Sequence, residues 1–158
     1  MPKQYECIDL SYLDSIAEGD KSIIEELITI FLEQIPEFTE GMDQGLSERR
    51  WLEIAALAHK AKSSVLSLGM EKLGNRDLKN LELVAKELYV QDIKKKSNPD
   101  EKEIEVVKQL ESNLKEYDEE RQAWVKNHTT TDTVAAIINT FKSALTKAEE
   151  ELKSEIGK

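Results

Sequence analysis

The sequence predicts an all-α fold, an antiparallel four-helix bundle with a short N-terminal helix and an additional C-terminal helix. Three observations point there. Apolar residues recur at four-three spacing along most of the chain, the pattern of helices that bury one stripe. Only six glycines and three prolines interrupt 158 residues. Hydrophobic residues make up 39% of the chain and charged ones 34%, enough of the first for a core and of the second for a solvated exterior.

The elements follow in order. Asp9 to Glu18 is a short amphipathic turn, ended by Gly19 and followed by Asp20 as a helix cap. Ile24, Ile28, Phe31, Ile35, Phe38 and Met42 then keep one stripe through Pro36, which removes a backbone donor and should bend the helix without ending it. A third helix from Trp51 carries Ile54, Ala58, Ala61, Val65 and Leu68 and closes at Gly69. After Gly74-Asn75, Leu78, Leu81, Ala85 and Leu88 form a fourth stripe, and Tyr89 to Ser97 reads as a connection. Asn98-Pro99, with Asp100 and Glu101 behind it, starts a fifth helix whose inward positions are Ile104, Val107, Leu110, Leu114, Tyr117 and Trp124. Residues 1–128 thus make up the bundle. Residues 129–158 add one helix, capped in Thr129 to Asp132, with Val134, Ile138, Phe141, Leu145, Ala148 and Leu152 in heptad-like rhythm. Leaving such residues in water forgoes roughly 1.5 to 3 kcal/mol each. Folding back along the bundle is favoured over dimerisation, because about three heptads without an obvious interhelical charge pattern make a poor coiled coil.

Composition excludes several classes of function. A formal net charge of −10 disfavours nucleic acid, whose phosphates need clustered Lys and Arg, and Lys94 to Lys96 is too short a run to change that. One cysteine, Cys7, rules out an internal disulfide framework. No apolar stretch approaches the roughly 20 residues that span a bilayer, and Met1 to Tyr5 lacks the apolar segment of a signal peptide. The expected location is the cytoplasm, which makes the Asn127-His128-Thr129 sequon accidental.

Attention then falls on His59, one of two histidines. At about 100° per residue it lies roughly 140° from the centre of its helix's apolar stripe, so it faces water. Ala55 and Ala56 precede it by a turn and give little cover, while Lys62 and Ser63 follow at plus three and plus four. The result is an accessible nucleophile beside a phosphate-sized cationic site. His128 has no such setting and reads as a solvated helix end; Cys7 and the scattered acids provide no metal-ligand spacing. Lys60 projects away from His59 and reads as a solvated neighbour. Leu66 shares the side of His59, where an apolar residue marks a docking surface.

From Leu10 to about Glu87 the chain resembles a histidine phosphotransfer domain, the helical module that relays a phosphoryl group between receiver-domain aspartates in multistep two-component signalling. The resemblance rests on Leu13 with Gly19-Asp20, Leu27 with Phe31 and Pro36, Ala58-His59 with Lys62, Leu68-Gly69-Met70, Leu73, and Leu81-Glu82. It implies that His59 is phosphorylated and that Lys62 supports the phosphoryl group. Ser63 stands where many members have glycine and offers a hydroxyl to the phosphate; Ala61 stands for the usual leucine. The family places a Gln or Glu 22 residues after the histidine to hold the imidazole. Leu81 lies at that separation and Glu82 one further on, so the role passes to Glu82 if one residue is inserted near Gly74-Asn75. Receiver docking in this family uses an apolar patch around the histidine, here Tyr12, Ile16 and Leu66.

The chemistry agrees with that resemblance. An imidazole with an ordinary pKa of about 6.5 is largely neutral near pH 7 and keeps one nucleophilic nitrogen. Phosphoryl transfer is mostly positioning and neutralisation of the equatorial oxygens, which suits one lysine here and a metal-bearing partner opposite. Without a glycine-rich nucleotide loop the chain should be a phosphocarrier, not an enzyme, needing neither cofactor nor metal of its own. Its partners would be the receiver domains of a hybrid sensor kinase and a response regulator, met as a monomer. The alternative is a helical adaptor with a degenerate, unphosphorylated histidine.

Overall fold

A computed structural model describes residues 5–157. Met1 to Gln4, part of the stretch read above for a signal peptide, and Lys158 lie outside the described residues. Among the described residues the chain is helical throughout, without a strand.

Helix α1 (Ser11–Ile16) buries Leu13 and ends in two left-handed residues, Glu18 and Gly19, with φ of 52° and 79°. Asp20 then caps α2 (Lys21–Glu48), its carboxylate accepting the backbone N–H groups of Ser22 at 2.9 Å and Ile23 at 3.4 Å. Pro36 lies inside α2, and the stripe continues through it, with Ile28 and Phe31 buried before it and Phe38 and Met42 after. Arg49, left-handed at φ 55°, ends this helix. Its guanidinium and the Trp51 indole N–H both donate to Asp92, at 2.7 and 2.8 Å, which ties the α2–α3 turn to the far end of α4.

Helix α3 (Trp51–Ser67) buries Ile54, Ala58, Ala61 and Val65, as the spacing predicts, and Gly69 at φ 76° closes it. The next stretch differs from the prediction. Gly74-Asn75 does not start a helix but lies within one, in a π-helical turn (Leu73–Leu78) that leads directly into α4 (Lys79–Lys94). Tyr89 to Lys94, read as connection, is helical too. Val90 and Ile93 leave the stripe of Leu81, Ala85 and Leu88 and turn to a different partner, Val107 of the next helix, so a single-stripe search stops at Leu88.

Asp100 and Glu103 form a reciprocal capping box at the start of α5 (Glu101–Lys115). The expected helix to Trp124 is instead two. Asp118 accepts from the Arg121 N–H at 2.7 Å and caps a new helix, α6 (Glu119–Asn127), without any glycine or proline to signal the break. Ile104, read as inward, is 44% exposed. Thr130, within the stretch expected to supply the cap, caps α7 (Thr131–Glu155).

One cluster of buried side chains draws on α2, α3, α4 and α7, through residues such as Ile28, Phe38, Ile54, Val65, Leu81, Ile138, Phe141 and Leu145. Phe38 and Phe141 meet with ring centroids 6.3 Å apart. Helices α5 and α6 pack against α4 and form two small outlying clusters, Leu83 with Leu114 and Val125, and Val90 with Ile93 and Val107. The apolar stripe of α7 is therefore buried within the chain, and the core runs across the boundary placed after residue 128.

Candidate functional site

The site is built where α3 faces α4. Because the α3 stripe is buried, the opposite face must look outward, and the His59 side chain is 74% exposed. Across from it on α4, the Glu82 side chain is only 5% exposed. Nδ1 of His59 lies 3.3 Å from Oε1 of Glu82, at the long end of hydrogen-bonding distance. These two side chains share a shallow open cleft of about 360 Å³ with Leu52, Ala55, Ala56 and Lys86. The small Ala55 and Ala56 leave the imidazole accessible, as their place in the sequence suggests.

The π turn explains how Glu82 comes to face His59. A π-helical turn bonds to the fifth residue back instead of the fourth, so it holds one extra residue and shifts the phase of everything that follows by one position. Glu82, 23 positions from His59, therefore takes the direction that the twenty-second would have in an uninterrupted helix. Leu81, at that nominal separation, is fully buried in the core. The extra residue of the π turn falls in Leu73–Leu78, the segment that contains Gly74-Asn75.

Two lysines complete the electrostatics. Lys86, one turn after Glu82, donates to its Oε2 at 2.8 Å, and Lys79, one turn before, stands 3.9 Å from Oε1. Burial pushes the Glu82 carboxyl pKa up, but the Lys86 hydrogen bond and charge, the Lys79 charge and the His59 contact outweigh it, leaving the group below the ordinary carboxylate range. An ionised carboxylate only accepts hydrogen bonds, so a hydrogen bond in this contact requires the proton on Nδ1, and in the neutral ring that leaves Nε2 as the nitrogen with the lone pair. The sequence reading missed both lysines; their spacing of minus three and plus four from Glu82 was the available signal.

The remaining predicted residues divide. Lys62 is half-buried, with no hydrogen-bond or ion-pair partner among the described residues, and Ser63 is exposed. Lys60 is exposed, as read, and its ammonium points away from His59 to pair with the equally exposed Glu37 of α2 at 2.8 Å. Leu66 is half-buried, not free on the surface, and it has an apolar neighbour the sequence did not suggest. It lies over Gly74 of the π turn, so closely that a Cβ there would come within 2.9 Å of its side chain. Tyr12 and Ile16 are 55% and 52% exposed on α1. His128 stacks on Trp124 with centroids 4.3 Å apart and its Nδ1 lies 2.7 Å from the Trp124 carbonyl, a helix-end arrangement. Among the described residues no group of three or more His, Cys, Asp or Glu is placed to hold a metal, and no helix is long and apolar enough to cross a membrane.

No family model matches this chain, and no curated protein or solved structure matches it significantly.

Proposed function

We propose that the chain is a histidine phosphotransfer protein that relays a phosphoryl group between receiver-domain aspartates, with His59 as the carrier. The observation that carries this reading is the exposed imidazole held through Nδ1 by a buried carboxylate that is itself held ionised by two lysines. In the proposed step the Nε2 lone pair attacks phosphorus, the P–O bond to the receiver aspartate breaks, and its electrons leave with the aspartate. No proton moves. The ring becomes a phosphorylated cation whose Nδ1–H already points at Glu82, and Lys62 neutralises phosphoryl oxygen charge from the same helix. Return transfer to a second aspartate is the same step reversed.

The reading moves the fourth helix of that module's bundle from α5, where the sequence placed it within residues 1–128, to α7, supported by the buried cluster that α7 shares with α2, α3 and α4. Tyr12 and Ile16, with the exposed part of Leu66, serve as the receiver-docking patch, and Ser63 contributes its hydroxyl at the rim. Ala61, whose size favours the adaptor alternative, is fully buried and bears on packing, not on the face that meets a partner. Incubation with a phosphorylated receiver should give acid-labile phosphate on the protein, absent in His59→Gln and slowed in Lys62→Ala with unchanged stability. Undiminished label in His59→Gln overturns the assignment, and no label on wild type from any receiver favours the adaptor.

A further inference from the structure

The C-terminal helix lies outside the family resemblance, yet it is joined to the segment that precedes α1. The Glu151 carboxylate accepts three consecutive backbone N–H groups: Glu6 at 3.1 Å, Cys7 at 3.0 Å and Ile8 at 3.0 Å. Successive amides converging on one anion form a nest, and an ionised acceptor makes each bond stronger than a neutral one would be. Other groups on the same face of α7 reinforce it. The Cys7 thiol lies 3.8 Å from the Ala144 carbonyl, Lys147 pairs with Glu6 at 3.3 Å, and the Tyr5 hydroxyl donates to Glu155. Positions 144, 147 and 151 lie one step before the buried 145, 148 and 152, and 155 follows 151 by one turn, so α7 carries a strap-holding stripe beside its core stripe.

The strap then crosses to α3. Ile8 enters the core, the Asp9 N–H donates to the Leu68 carbonyl at 2.7 Å, and a Cβ at Gly69 would come within 2.5 Å of the Asp9 side chain. Asp9 in turn accepts from the Ser11 N–H at 2.9 Å and the Ser11 hydroxyl at 2.6 Å at the start of α1. Helix α1 is only six residues long and touches α2 lightly. Leu13, with Ala17 just after the helix, enters the main core, and the strap fixes the end of α1 that precedes them.

We propose that Glu151 is a positioning residue for the docking helix: by clamping residues 6–8 on α7 it fixes α1, and with it the exposed Tyr12 and Ile16, in the place where a receiver meets them. The proposal rests on the phosphotransfer reading for its functional half and on this geometry for its structural half. Glu151→Ala should speed amide exchange at Glu6, Cys7 and Ile8 by about tenfold or more, and at Leu13 to Ala17 alongside. The half-saturating receiver concentration should rise by about three- to tenfold while the transfer rate at saturation stays within about twofold. Glu151→Gln, which keeps an acceptor oxygen, should recover much of both. Unchanged exchange at residues 6–8 overturns the clamp, and faster exchange with an unchanged half-saturating concentration overturns its part in docking. If no receiver phosphorylates wild type, the functional reading fails and exchange alone decides the clamp: acceleration at both Glu6 to Ile8 and Leu13 to Ala17 upholds it, and protection unchanged at Leu13 to Ala17 overturns it. Should Glu151→Ala not fold, Lys147→Ala together with Tyr5→Phe loosens the same strap and is read in the same way.

Discussion

Helices α5 and α7 look alike as sequence and differ as structure. Each carries an apolar stripe at helical spacing, and each follows a clear cap. In α7 the stripe of Val134, Ile138, Phe141, Leu145, Ala148 and Leu152 is essentially inaccessible and shares one core with α2, α3 and α4. In α5 Val107 and Leu114 sit at the margin of burial, Ile104 is open to solvent, and the contacts belong to small clusters on the outer side of α4. Periodicity reports that a helix has a face to bury, not which surface will receive it. What separates the two is the quality of the stripe: α7 presents Phe141 and a run of Ile and Leu without a break, whereas α5 spaces its apolar residues among Glu and Lys on a shorter helix.

The largest effect should come from ending the chain at His128. Losing α7 uncovers the inner faces of α2 and α4, so the shortened chain should lose cooperative urea unfolding; a chain that still unfolds cooperatively would show that α5 can close the core instead. Point substitutions make the contrast quantitative. Phe141→Ala should cost about 3 to 5 kcal/mol and Val107→Ala only about 1 to 2 kcal/mol in chemical denaturation. Equal costs would erase the distinction between core and annex.

A second pair of neighbours, both on α4, sharpens the same lesson at the level of charge. Glu82 has two lysines at its oxygens and is held below the usual carboxylate range, whereas Glu87 is raised by burial, with Lys126 and Lys94 acting only through space and Glu111 opposing them. A depressed folded pKa contributes stability above the unfolded value of about 4.3, lost as pH falls through the lower folded value; a raised one costs stability above the unfolded value. Glu82→Gln should therefore be less stable than wild type near pH 7, by about 1 kcal/mol, with the gap closing as pH drops below 4. Glu87→Gln should be slightly more stable near pH 7, by less than about 1 kcal/mol. Denaturation across pH 3 to 7 checks both signs.

The smallest effect concerns the π turn. If it is a one-residue insertion, deleting Asn75 should leave an ordinary helix with Glu82 still facing His59, and the melting temperature should stay within about 3 °C of wild type. A collapse in stability would mean that the turn is needed for packing, for instance of Leu66 on Gly74.

Much of the site was legible because it is written in short-range spacing. His59 outward, Lys62 a turn later and the small residues a turn before follow from one helical period, whereas Glu82 as the partner of His59 came only from the family resemblance, which implied one inserted residue. Lys79 and Lys86 stand at helical spacing from Glu82 in the same way, but their bearing on His59 depends on the packing of α4 against α3. The illegible parts depend on what lies across a gap. Val90 and Ile93 change partners in mid-helix, Asp118 breaks a helix by capping alone, and Leu66 finds cover on a turn 8 residues away. No local pattern specifies such neighbours. The strap on Glu151 is the extreme case, joining residues 144 positions apart at Cys7.

A buried, ionised Glu82 in contact with Nδ1 of His59 fixes one tautomer of the ring. Nitrogen-15 spectra of the imidazole, recorded above its titration, read the tautomer directly. The prediction is a pyrrole-type Nδ1 and a pyridine-type Nε2 in wild type, with that preference lost in Glu82→Leu. A predominance of the Nε2–H tautomer in wild type, or a preference unaffected by Glu82→Leu, would contradict it.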